Sequence, residues 1–306
     1  MDSTSKNSFL INGGSKKQPF SWYLLGSFVI ILFSFIGQIP MFFFLPDNMG
    51  NVSDPMEIFN SLDSNLTLVL FLVPYLVAFL GFLLVVYRLH EQNLKNVTTS
   101  RSKIDWSRVV TGFVYWGIIS LLLFVVDWFL FPDHFVWNFD LTSFLLLFCI
   151  SSLLIPFQSA LEEWLFRGYL MQGFAQIIHY RWFPLIMTSL VFGTLHIFNP
   201  EIDKLGYGLL FYYIGTGLFF GVISLMDDGI ELAIGLHVAN NLITALLVTA
   251  DWTAFQTASI FKDISNPDLI SELVVSLLVL YPLTLWFFAC KYGWKDWKNK
   301  LLGPIN

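Results

Sequence analysis

Charge is what this sequence has least of. Asp, Glu, Lys and Arg make up 12% of 306 residues, where a soluble domain carries about a quarter. No basic stripe runs along any segment, which removes nucleic-acid binding. Cysteine is nearly absent as well. Cys149 and Cys290 both lie in hydrophobic stretches and neither has a CxxC partner, so a disulfide framework is excluded and both read as small apolar residues. A cleavable signal peptide is also missing. The first apolar run is too long for one and lacks a small-x-small exit, so it is expected to be retained as a span. No internal repeat and no second domain are evident.

What fills the space is apolar. The chain is 56% hydrophobic, with 33 Phe, and its mean hydropathy is +0.68. Eight stretches approach the ~20 residues needed to cross ~30 Å of hydrocarbon. They run approximately 20–44, 66–87, 107–131, 141–161, 182–198, 208–226, 230–250 and 269–290. The fold class expected is therefore all-α, a polytopic membrane protein of about eight transmembrane helices. Residues 1–18 read as a flexible cytoplasmic tail, 19–291 as one membrane domain and 292–306 as a second cytoplasmic tail. Of the 16 Lys and Arg residues, all but Lys204 and Lys262 fall on the side that carries both termini. The positive-inside rule makes that side the cytoplasm. The expected location is a prokaryotic inner membrane with both termini cytoplasmic.

The fourth stretch does not stop where a span should. Its apolar pattern continues past Glu162 to about Ile178. One straight helix of that length would overshoot the bilayer at 1.5 Å per residue. The expectation is a span, kinked at Pro156, that then continues along the cytoplasmic interface, with Gly168 allowing a bend or a close approach.

Against this background a few polar residues stand out. Glu162, Glu163 and Arg167 lie in ALEEWLFRGYL, His196 in VFGTLHIF, and His237 and Asn241 in GLHVANNLI. A charge at the bilayer centre costs at least ~2.5–3.5 kcal/mol, so such groups face a cavity and a partner. Glu163 and Arg167 are spaced i, i+4 and are expected to pair. Glu162 is rotated about 100° away and is left for chemistry. His237 and Asn241 also share a face. Each signal alone has a structural explanation: an interfacial charge cluster, a helix–helix hydrogen bond, a satisfied span-end histidine. Together on three spans they suggest one shared cavity.

Such a set suits hydrolysis. A carboxylate in a partly apolar site can act as general base toward water. Neutral imidazoles can hold a divalent metal that lowers the pKa of bound water, or hold the water and the oxyanion by hydrogen bonds. HExxH is absent, because position 94 after His90-Glu91 is Leu94, and neither GxSG nor GxGD occurs.

Glu162-Glu163-Trp-Leu-Phe-Arg167, Phe192-Gly-Thr-Leu-His196 and His237-Val-Ala-Asn-Asn241 resemble the EExxxR, FxxxH and HxxxN motifs of the type II CAAX prenyl endopeptidases and bacteriocin-processing (abortive infection) family. The resemblance covers roughly residues 140–250. It implies an eight-helix bundle around a conical cavity open toward the cytoplasm, and an intramembrane endopeptidase. Glu162 would activate water with His196 helping to hold it. His237 and Asn241 would stabilise the oxyanion or complete a metal site, with Glu163 and Arg167 in support. Two alternatives stay open for the mechanism. In one, zinc or another divalent metal is held by His196 and His237, with Glu162 and Asn241 as further ligands; in the other, a metal-free glutamate does the work. The partners expected are the lipid bilayer and a peptide or protein substrate, such as the C-terminal region of a membrane-associated protein. A non-catalytic scaffold or immunity protein of the same fold is the alternative function. A transporter is disfavoured by the lack of inverted repeats.

Overall fold

The structure, a computed structural model, describes residues 9–11, 18–44 and 62–305. Eight apolar helices follow in order: α1 Phe20–Phe42, α2 Ser64–Leu89, α3 Trp106–Leu130, α4 Leu141–Phe174, α5 Trp182–Phe198, α6 Tyr207–Asp227, α7 Glu231–Leu247 and α8 Leu269–Tyr292. Six are long and apolar enough to cross a membrane, and α5 and α7 are shorter. The all-α polytopic architecture expected from the sequence is therefore present. Aspartates start four of the helices. Asp63, Asp105, Asp140 and Asp268 accept hydrogen bonds from the backbone N–H groups of Asn65, Ser107, Ser143 and Ile270, respectively. Each cap satisfies donors that the first helical turn would otherwise leave bare.

Apolar residues cover these helices on all sides, and the outer faces stay exposed. Phe28, Phe35, Leu122, Val126, Leu278 and Trp286 all point outward. Helices that are apolar all round are solvated by lipid on whichever side the protein does not cover. Inside, α7 packs on α3 and α4, α5 on α6, and α1 and α4 on α2.

The two ends of the bundle differ. At one, three short strands form a sheet in the order β1 Phe135–Trp137, β3 Phe261–Asp263, β2 Val248–Thr249, with β3 antiparallel to β1 and parallel to β2. This sheet ties the connections before α4 and after α7 together. The other end, which carries both termini, is closed by ion pairs. Arg101 bridges Asp227 (2.8 Å) and Glu231 (3.1 Å), and Arg108 bridges Asp227 (2.5 Å) and Asp105 (3.2 Å). The indole Nε1 of Trp294 donates to Asp227 as well, and Lys300 pairs with Asp228.

One expectation about an extended segment needs correction. The helix of α4 does not turn along an interface after Glu162. It runs on through Pro156 and through a π-helical segment, Trp164–Leu170, to Phe174. Residues 163–174 stay inside the protein, where Arg167 and Met171 are fully buried. A helix longer than the bilayer is tolerated because its last turns are clothed by protein rather than by headgroups. The backbone carbonyl of Val97 lies where a Cβ on residue 168 would go, so Gly168 permits the closest of these approaches. Residues 292–306, expected as a cytoplasmic tail, are ordered against the bundle. Trp297–Leu302 is helical, and the backbone N–H groups of Arg181 and Ile305 donate to the carbonyls of Gly303 and His179, respectively. Within residues 1–18, Leu10 is 1% exposed in the main core. Lys6, Lys16, Lys17, Asp47, Asp54 and Glu57, used in the charge argument, lie outside the described residues.

Candidate active site

The inner half of α4 sets Glu163 and Arg167 one turn apart with their side chains 0% exposed. Arg167 Nη1 donates to Glu163 Oε1 at 2.9 Å, and Nη2 donates to the carbonyl of Gly217 at 3.3 Å. The guanidinium lies 4.3 Å from the ring centre of Phe192 and 5.3 Å from that of Phe220. Arg suits such a place because its flat, weakly hydrated cation stacks on aromatic faces. The same Glu163 oxygen accepts from His237 Nδ1 at 2.8 Å. A carboxylate can only accept there, so Nδ1 donates, and in the neutral imidazole Nε2 keeps the lone pair. Phe220 stacks on the imidazole at 5.2 Å and fixes its plane.

Glu162 points the other way. Its Oε2 is 3.8 Å from His237 Nε2, too long for a hydrogen bond. Its Oε1 accepts from Gln158 Nε2 at 2.5 Å. Gln158 is in turn held by Asn241, whose Nδ2 donates to Gln158 Oε1 (3.0 Å) and to Ser159 Oγ (3.2 Å). Asn240 donates to Asn241 Oδ1 at 3.1 Å, and Trp116 Nε1 donates to Asn240 Oδ1 at 3.0 Å. Asn241 therefore reaches Glu162 through Gln158.

His196 sits at the last turn of α5. Its Nδ1 donates to the carbonyl of Phe192 at 2.7 Å, which again leaves Nε2 as the free nitrogen. Tyr213 stacks on the ring at 4.4 Å. Glu162, His196, His237 and Asn241 all line one cavity of about 600 Å³, while Glu163 and Arg167 stand behind its wall. Aromatic side chains, Phe71, Tyr75, Trp116 and Tyr281 among them, form much of the rest.

Among the described residues the lining of the cavity extends to the sheet end. From the polar cluster it runs past Phe198–Glu201 of the α5–α6 connection and residues 248–255 after α7. Glu201 Oε1 accepts from the backbone N–H of Ala254 at 2.8 Å, joining these two connections. Burial holds the Glu201 carboxyl above its ordinary pKa, a rise opposed by that hydrogen bond. Toward the termini the cavity is stopped by the buried Glu163–Arg167 pair and the packing of the main core.

The imidazoles are oriented as metal ligands often are, each with Nδ1 tied to an oxygen. Among the described residues, however, no three His, Cys, Asp or Glu side chains converge closely enough to hold a metal ion.

Sequence reasoning missed Gln158, Trp116 and Tyr213, and left Asn240 unassigned. Gln158 had a signal, since it is a polar residue one helical turn before Glu162 in an apolar stretch. Trp116 and Tyr213 had none, because aromatic residues abound in every span.

Comparison with known proteins places the likeness on the same segment. The chain is 28% identical over 178 residues to uncharacterized protein YyaK of Bacillus subtilis (strain 168), a match covering 58% of this chain and 60% of that protein. The chain thus spans about 60% of the length of the curated relative it matches. No solved structure matches. Residues 140–243, which hold every motif residue of the site, match the family described as Type II CAAX prenyl endopeptidase Rce1-like, in agreement with the resemblance carried by the three motifs.

Proposed function

We propose that this chain is an intramembrane endopeptidase that hydrolyses a peptide bond with water activated by Glu162. One observation carries the reading. Of two adjacent glutamates, Glu163 is committed to Arg167 and His237, whereas Glu162 faces the cavity beside two imidazoles, each tied through Nδ1 to an oxygen. The family likeness of residues 140–243 supports the same reading.

In this scheme a water lies between Glu162 and the free nitrogens of His196 and His237. Glu162 takes its proton as the oxygen attacks the peptide carbonyl, and the amides of Gln158 and Asn241 stand on the wall that faces the oxyanion, joined by His237 once its Nε2 carries a proton. Glu162 then passes the proton to the leaving nitrogen, giving a carboxylic acid and an amine. General base catalysis of this kind is worth about 10²–10⁴ in rate. Glu163 and Arg167 act as positioning residues, holding the His237 tautomer. The substrate is a peptide or protein segment, and the bilayer is the medium.

Purified protein should cleave a peptide in detergent. Glu162→Ala should abolish cleavage while expression and melting temperature stay at the wild-type level. Undiminished turnover in that variant would contradict the proposal. A cellular role that survives both Glu162→Ala and His196→Ala would point instead to a non-catalytic scaffold.

A further inference from the structure

The three motifs of the site lie on α4, α5 and α7, and α6 carries none of them. Yet α6 touches all three helices through one face. Tyr213, Gly217 and Phe220 are spaced i, i+4, i+7 within the helical stretch Leu210–Asp227, so they line up along one side of it. The Tyr213 ring stacks on the His196 imidazole, with centres 4.4 Å apart and planes inclined by 28°. The Gly217 carbonyl accepts from Arg167 Nη2 at 3.3 Å. The Phe220 ring stacks on the His237 imidazole at 5.2 Å and 17°.

The backbones bring this face close. A Cβ on residue 193 would meet the backbone nitrogen of Ile214 at 2.8 Å, and one on residue 217 would meet Ser189 Cα at 2.9 Å. Glycine at both places lets α5 and α6 meet backbone to backbone, which sets Tyr213 against the imidazole beside it. A hydrogen bond then restrains Tyr213, since Asn199 Nδ2 donates to its hydroxyl at 3.3 Å. The imidazole needs such a plate. At the end of α5 the His196 backbone N–H turns to the carbonyl of Gly193, and Nδ1 takes the Phe192 carbonyl at 2.7 Å. One hydrogen bond leaves a ring free to pivot about it, whereas a flat group against its face does not. Phe192 also touches the ring, but at the steeper angle of 46°. His237 is held in the same two ways, by Glu163 at Nδ1 and by Phe220 at its face.

We propose that this face of α6 is the template that sets the two imidazoles in register, with Tyr213 and Phe220 as positioning residues for His196 and His237. The catalytic half of this statement rests on the endopeptidase reading; the orientation of the rings does not.

Two measurements separate them. Purified protein carrying 13C-labelled histidine is followed by NMR in detergent, with the two ring signals assigned through His196→Gln and His237→Gln. Tyr213→Leu should move the His196 signal downfield, since the shielding by the stacked ring is lost, and leave that of His237 in place. Phe220→Leu should do the converse. A His196 signal unmoved by Tyr213→Leu, or both signals moved by either variant, overturns the template, whether or not the protein is a protease. Peptide cleavage is measured on the same samples. Each Leu variant should lose on the order of tenfold in kcat at nearly unchanged KM, and Tyr213→Phe, which keeps the face, should recover most of the loss. A loss confined to KM, or one that Tyr213→Phe does not recover, overturns the positioning role. A wild type that cleaves no peptide overturns that role together with the endopeptidase reading, and leaves the NMR result standing.

Discussion

At the scale of the residue, one buried cation organises the site. Arg167 neutralises Glu163, and Glu163 holds His237. Removing one partner of a buried ion pair leaves the other charged and unpaired, which costs about 3–5 kcal/mol. Arg167→Ala should therefore lower stability strongly, read as a loss of melting temperature in detergent. An unchanged melting temperature would show that Glu163 finds another partner. Gln158 makes a different demand. It is Gln158, not Asn241, that touches Glu162. Gln158→Leu keeps the volume and frees the carboxylate to turn, so kcat should fall by on the order of 10² while the fold is kept. A fall in KM alone would place Gln158 outside the reaction. The pairing of Glu163 with Arg167 was legible from i, i+4 spacing. The bond to His237 was not, because it joins residues on α4 and α7 that only packing brings together.

At the scale of the element, α4 is the long helix around which the others assemble, and its fit depends on Gly168. A Cβ there meets the Val97 carbonyl, which is backbone and cannot rotate away. Gly168→Ala should destabilise by roughly 1–3 kcal/mol, the usual scale of overpacking. A variant as stable as the wild type would mean that the segment at Val97 shifts freely. The end of α2 carries a pH dependence. His90 is buried against Tyr23 and donates to or accepts from Tyr169 at 2.8 Å. Burial pushes its pKa down from 6.5 to about 4. The unfolded chain therefore binds the proton first as pH falls, so the stability held above pH ~6.5 declines as pH drops toward ~4. Melting temperature measured across that window should fall, and His90→Gln should flatten the dependence. The sequence predicted where helices lie, because apolar length is a one-dimensional signal. It misread the end of α4, because whether a long helix meets lipid or protein depends on neighbours such as the Leu94–Thr98 segment, which no local pattern reveals.

At the scale of the whole molecule, the bundle holds a polar cavity whose lining extends to the sheet end, while ion pairs tie the other end together among the described residues. Eight apolar stretches and their polarity of charge could be read from the chain. The extent of the cavity could not, since it follows from which connections pack over the polar cluster. The pairing of Arg101 with Asp227 at one end and of β1 with β3 at the other joins segments more than a hundred residues apart in sequence. With no convergent metal set among the described residues, turnover should survive prolonged chelation. Activity lost to a chelator and restored by zinc would transfer water activation to a cation.

The division of labour between the two adjacent glutamates is the account's central claim, and isosteric neutral variants test it most directly. Single-turnover cleavage and melting temperature are measured for Glu162→Gln and Glu163→Gln side by side. Glu162→Gln is predicted to lose about 10²–10⁴ in cleavage rate at unchanged melting temperature, and Glu163→Gln to lose stability as Arg167 is left unpaired. Cleavage by Glu162→Gln at the wild-type rate would contradict the account.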